Sequence, residues 1–176
     1  LFFDYDVHQT NLGRADDGDV INQMLESFDN ETENGKLYIS YPMVEALRDF
    51  EAGKCGNGDN CFVEISVLAE YKNISSRNSL NPHFRDYNID VWKEIIDVFL
   101  MRISCLLGNV EVISYEQYLD EANPHDIYIC EQALAGNNKV FIISAFPEFL
   151  VDYFGIKLWR TCVKHAKNQL DICNCK

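Results

Sequence analysis

The sequence predicts an α/β protein, a small and mainly parallel sheet flanked by helices with a helix-rich C-terminal half. Three observations carry that expectation. Leu1 to Tyr5 is a short apolar run of strand type, and the residues from Ile21 to Phe28 recur at helical spacing. Lys36 to Ser40 is a second run of good β-formers, followed from Met43 to Phe50 by another helical stripe. Strand, helix, strand, helix is the order that builds parallel sheets, because a crossover helix must return the chain to the sheet's starting edge.

Each element has its local reason. His8 to Gly18 is rich in Asn, Asp and Gly and reads as a loop, after which Asp19 is placed to cap the first helix, ending near Asp29. Pro42 stands where a helix can begin, since a first-turn residue needs no amide hydrogen. Gly53 to Asn60 is loop-like, Cys61 to Lys72 has helical spacing, and Asn73 to Tyr87 reads as a polar connection. Asp90 is the expected cap of a long helix running to Leu107 and stopped by Gly108. Interruption of Ile95 to Leu107 by Asp97, Arg102 and Ser104 makes it a buried helix rather than a membrane span. Ser114 and Gln117 have the spacing of a capping box, and His125 to Ala135 reads as a further helix. Lys139 to Ala145 is expected as a strand and Pro147 to Phe154 as a helix, with Gly155 breaking it before a last amphipathic helix from Ile156 to Asn168.

With 176 residues, the chain has the size of one domain, and 1–176 is read as a single unit. Hydrophobic residues make up 47% and charged residues 24%, an ordinary globular composition. No apolar run approaches the length of a bilayer span, and no signal-peptide pattern opens the chain, so a soluble cytoplasmic protein with no membrane partner is expected. The strand that starts at Leu1 suggests residues upstream of it. Seven cysteines, an odd number without paired C-x2-C spacing, fit reduced thiols better than a disulfide framework or a zinc site.

The net charge of −13 repels polyanions and disfavours passive binding of nucleic acid. It weighs less against a metal-dependent enzyme, because carboxylates that hold a divalent cation are neutralised when it binds. Asp4 and Asp6 are the candidates. Alternation along a strand sets them on one face, about 7 Å apart, at the carboxyl end where α/β folds place ligands. Two such carboxylates can share Mg²⁺ or Mn²⁺, with water completing the shell. Glu45, just after the second strand, is placed to join them as a further ligand, and His8 to shuttle a proton or meet a phosphate. A solvated strand end and an exposed helical glutamate are the plainer readings of the same residues. Asp16, Asp17 and Asp19 read as a turn and cap rather than ligands. His83, His125 and His165 have no spacing that makes them converge.

The run Phe3 to Asp6, then a helix, then Gly35 to Glu45 with its Tyr41-Pro-Met-Val-Glu45 turn, resembles Toprim-like proteins of bacterial defence systems, related to the OLD and RloB nucleases. Val140 to Gly155 resembles the closing strand and helix of that group. The resemblance implies a Toprim/Rossmann-like fold and Mg²⁺-dependent cleavage of nucleic acid in antiphage abortive infection, with a partner protein of the defence system as a further expectation. It implies Asp4, Asp6 and Glu45 as metal ligands and as the catalytic set with His8. It also implies a glutamate on a strand ahead of Asp4, which places that residue before Leu1. The Asp4-x-Asp6-Val order also resembles the first motif of haloacid-dehalogenase phosphatases, with Asp4 as nucleophile, Asp6 as acid/base and Ile142 to Ser144 as second motif, but the family's acidic pair is missing after Ser144 and a lone Lys157 is too weak a third motif. A non-catalytic module that binds a partner protein is the third reading.

Overall fold

The computed structural model describes residues 1–5, 20–29, 35–49, 61–78, 83–109 and 111–155, with Val7 and Glu33 between them. Strand β1 (Phe2–Asp4) leads to helix α1 (Val20–Ser27) and returns as β2 (Tyr38–Ser40), which pairs with β1 in parallel, Phe2 opposite Tyr38 and Asp4 opposite Ser40. The strand–helix–strand grammar read from the sequence therefore holds at the N-terminus. The amide of Tyr5 donates to the carbonyl of Ser40 at 3.0 Å, extending the ladder to the strand ends.

The other two strands depart from a parallel sheet. Phe62–Glu64 forms β3, and it runs antiparallel to β4 (Lys139–Phe141), with Val63 opposite Val140. An antiparallel bridge between Tyr41 and Ile143, with amide–carbonyl distances of 2.7 and 2.8 Å, links this ladder to β2. The described architecture is thus mixed α/β, one parallel and one antiparallel pair joined at a bridge.

The helical expectation over Cys61 to Lys72 is corrected in its first part. Phe62, Ile65 and Leu68 do recur at helical spacing, but Val63 is buried against β4, and pairing with a distant strand outweighs a local period. A 3-10 helix (Ile65–Glu70) follows, then α2 (Tyr71–Asn78), which takes in the start of the stretch read as a connection. Pro42 does not open a helix either. Met43 is extended, and a 3-10 helix begins at Val44 and ends at Arg48.

Elsewhere the local signals act as read. Helix α3 (Ile89–Leu106) ends before Gly108, whose φ of +74° is the left-handed conformation that glycine adopts without strain. Its cap is Asn88 rather than Asp90: the Asn88 side chain accepts from the amides of Asp90 and Val91. Ser114 and Gln117 make the reciprocal capping box at the head of α4 (Tyr115–Glu121). Asn123 caps α5 (Pro124–Ala135), and α6 (Phe146–Phe154) ends at Gly155. The last helix expected, Ile156 to Asn168, lies outside the described residues. Within the described residues no helix is long and apolar enough to cross a membrane.

Helix α6 packs on β2 and α3, α5 on β4, α1 and α3, and α2 on both the Val44–Arg48 and Ile65–Glu70 segments. Between these layers one contiguous core runs from Tyr5 through Ile39, Phe99, Ile103 and Val140 to Val151. The arrangement sets the Val44–Arg48 segment that follows β2 beside α2, and the amino end of β2 beside α6.

Candidate functional site

Asp4 is the last residue of β1, and Met43 is extended, so the chain after β2 passes beside Asp4 before it coils. The backbone amide of Val44 donates to the Asp4 carboxylate. A carboxylate from one strand thereby caps the turn that follows the next, and Glu45, one residue on, is delivered to the same place. Partial burial raises the pKa of Asp4, the Val44 amide opposes that rise, and the negative charge of Glu45 adds to it. Convergence of Asp4 and Glu45 at one sheet edge is thus the arrangement that the structure shows for two of the residues singled out from sequence.

Lys72, in the first turn of α2, completes this group. Its Nζ lies 3.0 Å from Oε1 of Glu45, with the Glu45 side chain 12% exposed and that of Lys72 69% exposed. Beside it Arg48 donates from Nη1 to Ser76 Oγ at 2.6 Å, and its guanidinium lies over the ring of Phe84 at 5.1 Å from the centroid. Beneath Glu45 is a buried polar layer. Tyr71, 1% exposed, feels the charges of Asp49, Arg102 and Glu45, and burial pushes its hydroxyl well above the ordinary tyrosine range. Arg102 donates from Nη1 to the carbonyl of Ile142 at 2.9 Å, and its Nη2 lies 4.0 Å from Asp49. A small cavity of about 20 Å³ borders Arg102, Ala46 and Ser144.

Asp6 and His8, the other residues expected at the centre, lie outside the described residues, as do Asp16, Asp17, Asp19, Lys157 and His165. Ser144 is buried, and its Oγ accepts from the amide of Phe146 at 3.3 Å. His83 is exposed and His125 half-buried, on separate elements. Among the described residues no three His, Cys, Asp or Glu side chains form a cage for a metal ion. Two carboxylates on a sheet edge nonetheless suit Mg²⁺, which keeps most of its water and takes one or two protein carboxylates beside substrate phosphates. Among the described residues Cys61, Cys105 and Cys130 form no disulfide.

A second polar group sits at the opposite end of β2. Lys36 Nζ lies 2.5 Å from Oε1 of Glu148 and 2.9 Å from Oδ2 of Asp152, two acids one turn apart on α6. Tyr38 donates its hydroxyl to Asp152 Oδ2 at 3.0 Å, Tyr115 donates to Oδ1 at 2.6 Å, and Tyr118 stands beside Glu148. Burial pushes Glu148 upward while Lys36 pulls it back. Each carboxylate faces cation or hydroxyl from β2, α4 or the segment before β2, so the group ties α6 and α4 to the sheet.

Sequence reasoning missed Lys72, Arg48 and the Lys36 group. The available signal for Lys72 was a run with Lys72 and Arg77 among serines and asparagines, basic within a strongly acidic chain. Compared with protein-family models, with curated proteins and with solved structures, the chain matches none.

Proposed function

We propose that the carboxyl end of the β1–β2 pair is a divalent-cation site at which the protein hydrolyses phosphodiester bonds of nucleic acid, in the manner that the Toprim-like resemblance implies. The observation that supports this reading is the delivery of Glu45 to Asp4 through the Val44 amide, beside Lys72. Asp4 and Glu45 are the described residues that would hold Mg²⁺ or Mn²⁺; the resemblance adds Asp6 and His8, which lie outside the described residues. The bound ion supplies charge stabilisation for the phosphoryl oxygens. Around it the chain's own residues orient and bind. The Val44 amide fixes the Asp4 carboxylate, the buried Tyr71–Arg102–Asp49 layer underlies Glu45, and the basic rim of Lys72 and Arg48 offsets the repulsion that a chain of −13 exerts on a phosphate backbone. Antiphage defence, with a partner protein of such a system, is the biological setting that the resemblance adds.

Titration calorimetry with Mn²⁺ and plasmid nicking test the reading together. The expected result is Mn²⁺ binding at millimolar concentration or tighter, nicking that requires the metal, and loss of both in Asp4→Asn. Metal affinity indifferent to Asp4→Asn would overturn it.

A further inference from the structure

The two partners of the Glu45–Lys72 ion pair are held very differently. Glu45 is sheltered over the buried Tyr71, Asp49 and Arg102, whereas Lys72 reaches it from solvent on a flexible stem. Tyr71 deepens the contrast: its hydroxyl is wholly buried, lies within electrostatic reach of Glu45, and has no hydrogen-bond partner among the described residues. On the buried side the guanidinium of Arg102 lies by Asp49. The cation that the structure sets on Glu45 is therefore the one that can leave.

A carboxylate oxygen in contact with an ammonium cannot also be an inner ligand of a divalent cation without bringing a single and a double positive charge within a few ångströms. We propose that Lys72 is a built-in counter-ion of the site: it neutralises Glu45 before a divalent cation binds, is displaced when one does, and then faces the phosphate of the substrate. The inference rests on the divalent-cation reading above and adds its regulation. Arg48 does not share the role, because its guanidinium is already bonded to Ser76 and laid over Phe84. Among the described residues Lys72 has no such second anchor, and its position at the head of α2 keeps its ammonium at the same rim after displacement. The site would thus pass one positive charge from its own acid to an incoming anion, linking metal binding to substrate binding.

Mn²⁺ titration of the whole chain tests this, comparing wild type with Lys72→Met, Lys72→Arg and Asp4→Asn at low ionic strength. Removal of an exposed competing ion pair should tighten Mn²⁺ binding about two- to fivefold in Lys72→Met, while Lys72→Arg stays near wild type. In the same samples, with Ca²⁺ present, a short fluorescein-labelled DNA strand should bind Lys72→Met more weakly than wild type by anisotropy. Wild-type Mn²⁺ binding that Asp4→Asn abolishes but Lys72→Met leaves unchanged or weakens would overturn the counter-ion role and leave the metal site standing. Tighter Mn²⁺ binding with unaltered DNA affinity would overturn the phosphate contact. Absence of Mn²⁺ binding by wild type would overturn both the site and the inference. Since Lys72 is mostly exposed, circular dichroism should show the variants folded alike.

Discussion

At the amino end of β2, Lys36 is 14% exposed and lies between two acids that are themselves sheltered; at the carboxyl end, Lys72 is 69% exposed and leans on one. The chemistry is the same, an ammonium on carboxylates, yet the surroundings differ. Around Lys36 the tyrosines Tyr38, Tyr115 and Tyr118 accompany the acids, and the elements that contribute them are packed in the core. Around Lys72 the charge of Glu45 adds to the rise that burial gives Asp4, and Lys72 itself stands open to water. A fold spends its closed polar groups on holding elements together and leaves its open, mutually repelling ones where a ligand can complete them. That difference separates a strut from the proposed site.

The largest effect that would break this comparison is at the strut. Lys36→Met leaves Glu148 and Asp152 facing each other without their cation, and breaking a buried pair in this way costs about 3–5 kcal/mol. Urea unfolding at pH 7 should show that loss; a change under about 1 kcal/mol would place both lysines in one class. The pH dependence has a definite sign. Lys36 is raised above 10.5 by its acids, so the stability it contributes is fully present below that pH and is lost as pH climbs through the folded value. Wild type should therefore lose stability above about pH 10.5 by a component that Lys36→Met lacks.

A buried acid with no cation sharpens the same contrast. Glu131 is wholly buried, its Oε2 accepts from the Phe141 amide at 3.0 Å, and its Oε1 has no hydrogen-bond partner among the described residues. Burial holds its pKa well above 4.5. A raised carboxyl contributes stability that is fully present below the unfolded value and is lost as pH rises toward the folded one. Glu131→Gln should therefore stabilise the protein at pH 7, by at most about 3 kcal/mol, with the gain vanishing near pH 4.5. Thermal melts of the two proteins across that interval measure it, and a gain independent of pH would show that ionisation is not the cause.

The smallest effects belong to the open end. Lys72→Met should alter stability by less than about 1 kcal/mol, as exposed pairs do. Asp4→Asn retains an oxygen acceptor for the Val44 amide and should fall within about 0.5 kcal/mol of wild type, while removing metal binding. A large stability change in either variant would turn the proposed site into a second strut.

Much of this molecule was legible where the cause is local. The period of α3, the left-handed glycine at 108 and the Ser114–Gln117 box each act within a few residues, so sequence spacing carries them. Apart from the cap of α3, read at Asp90 and found at Asn88, the misreadings fall where a distant partner intervenes. Phe62–Glu64 became a strand because β4 lay beside it, and Met43 stayed extended on the way past Asp4, with Pro42 starting no helix. At the site, Asp4 and Glu45 were readable because strand ends in neighbouring strand–helix units share an edge; Lys72 was not, because α2 arrives there by packing on the Val44–Arg48 turn.

The sequence by itself determined the α/β class, the helix boundaries set by glycines and the Ser114–Gln117 box, and the placing of Asp4 at the end of the first strand. Tertiary structure alone decided that the second strand pair runs antiparallel, and which lysine is locked and which is loose. Burial is the physical reason: the charge on a lysine is written in the chain, but its exposure, and with it the strength and reversibility of any ion pair it makes, depends on which elements close over it.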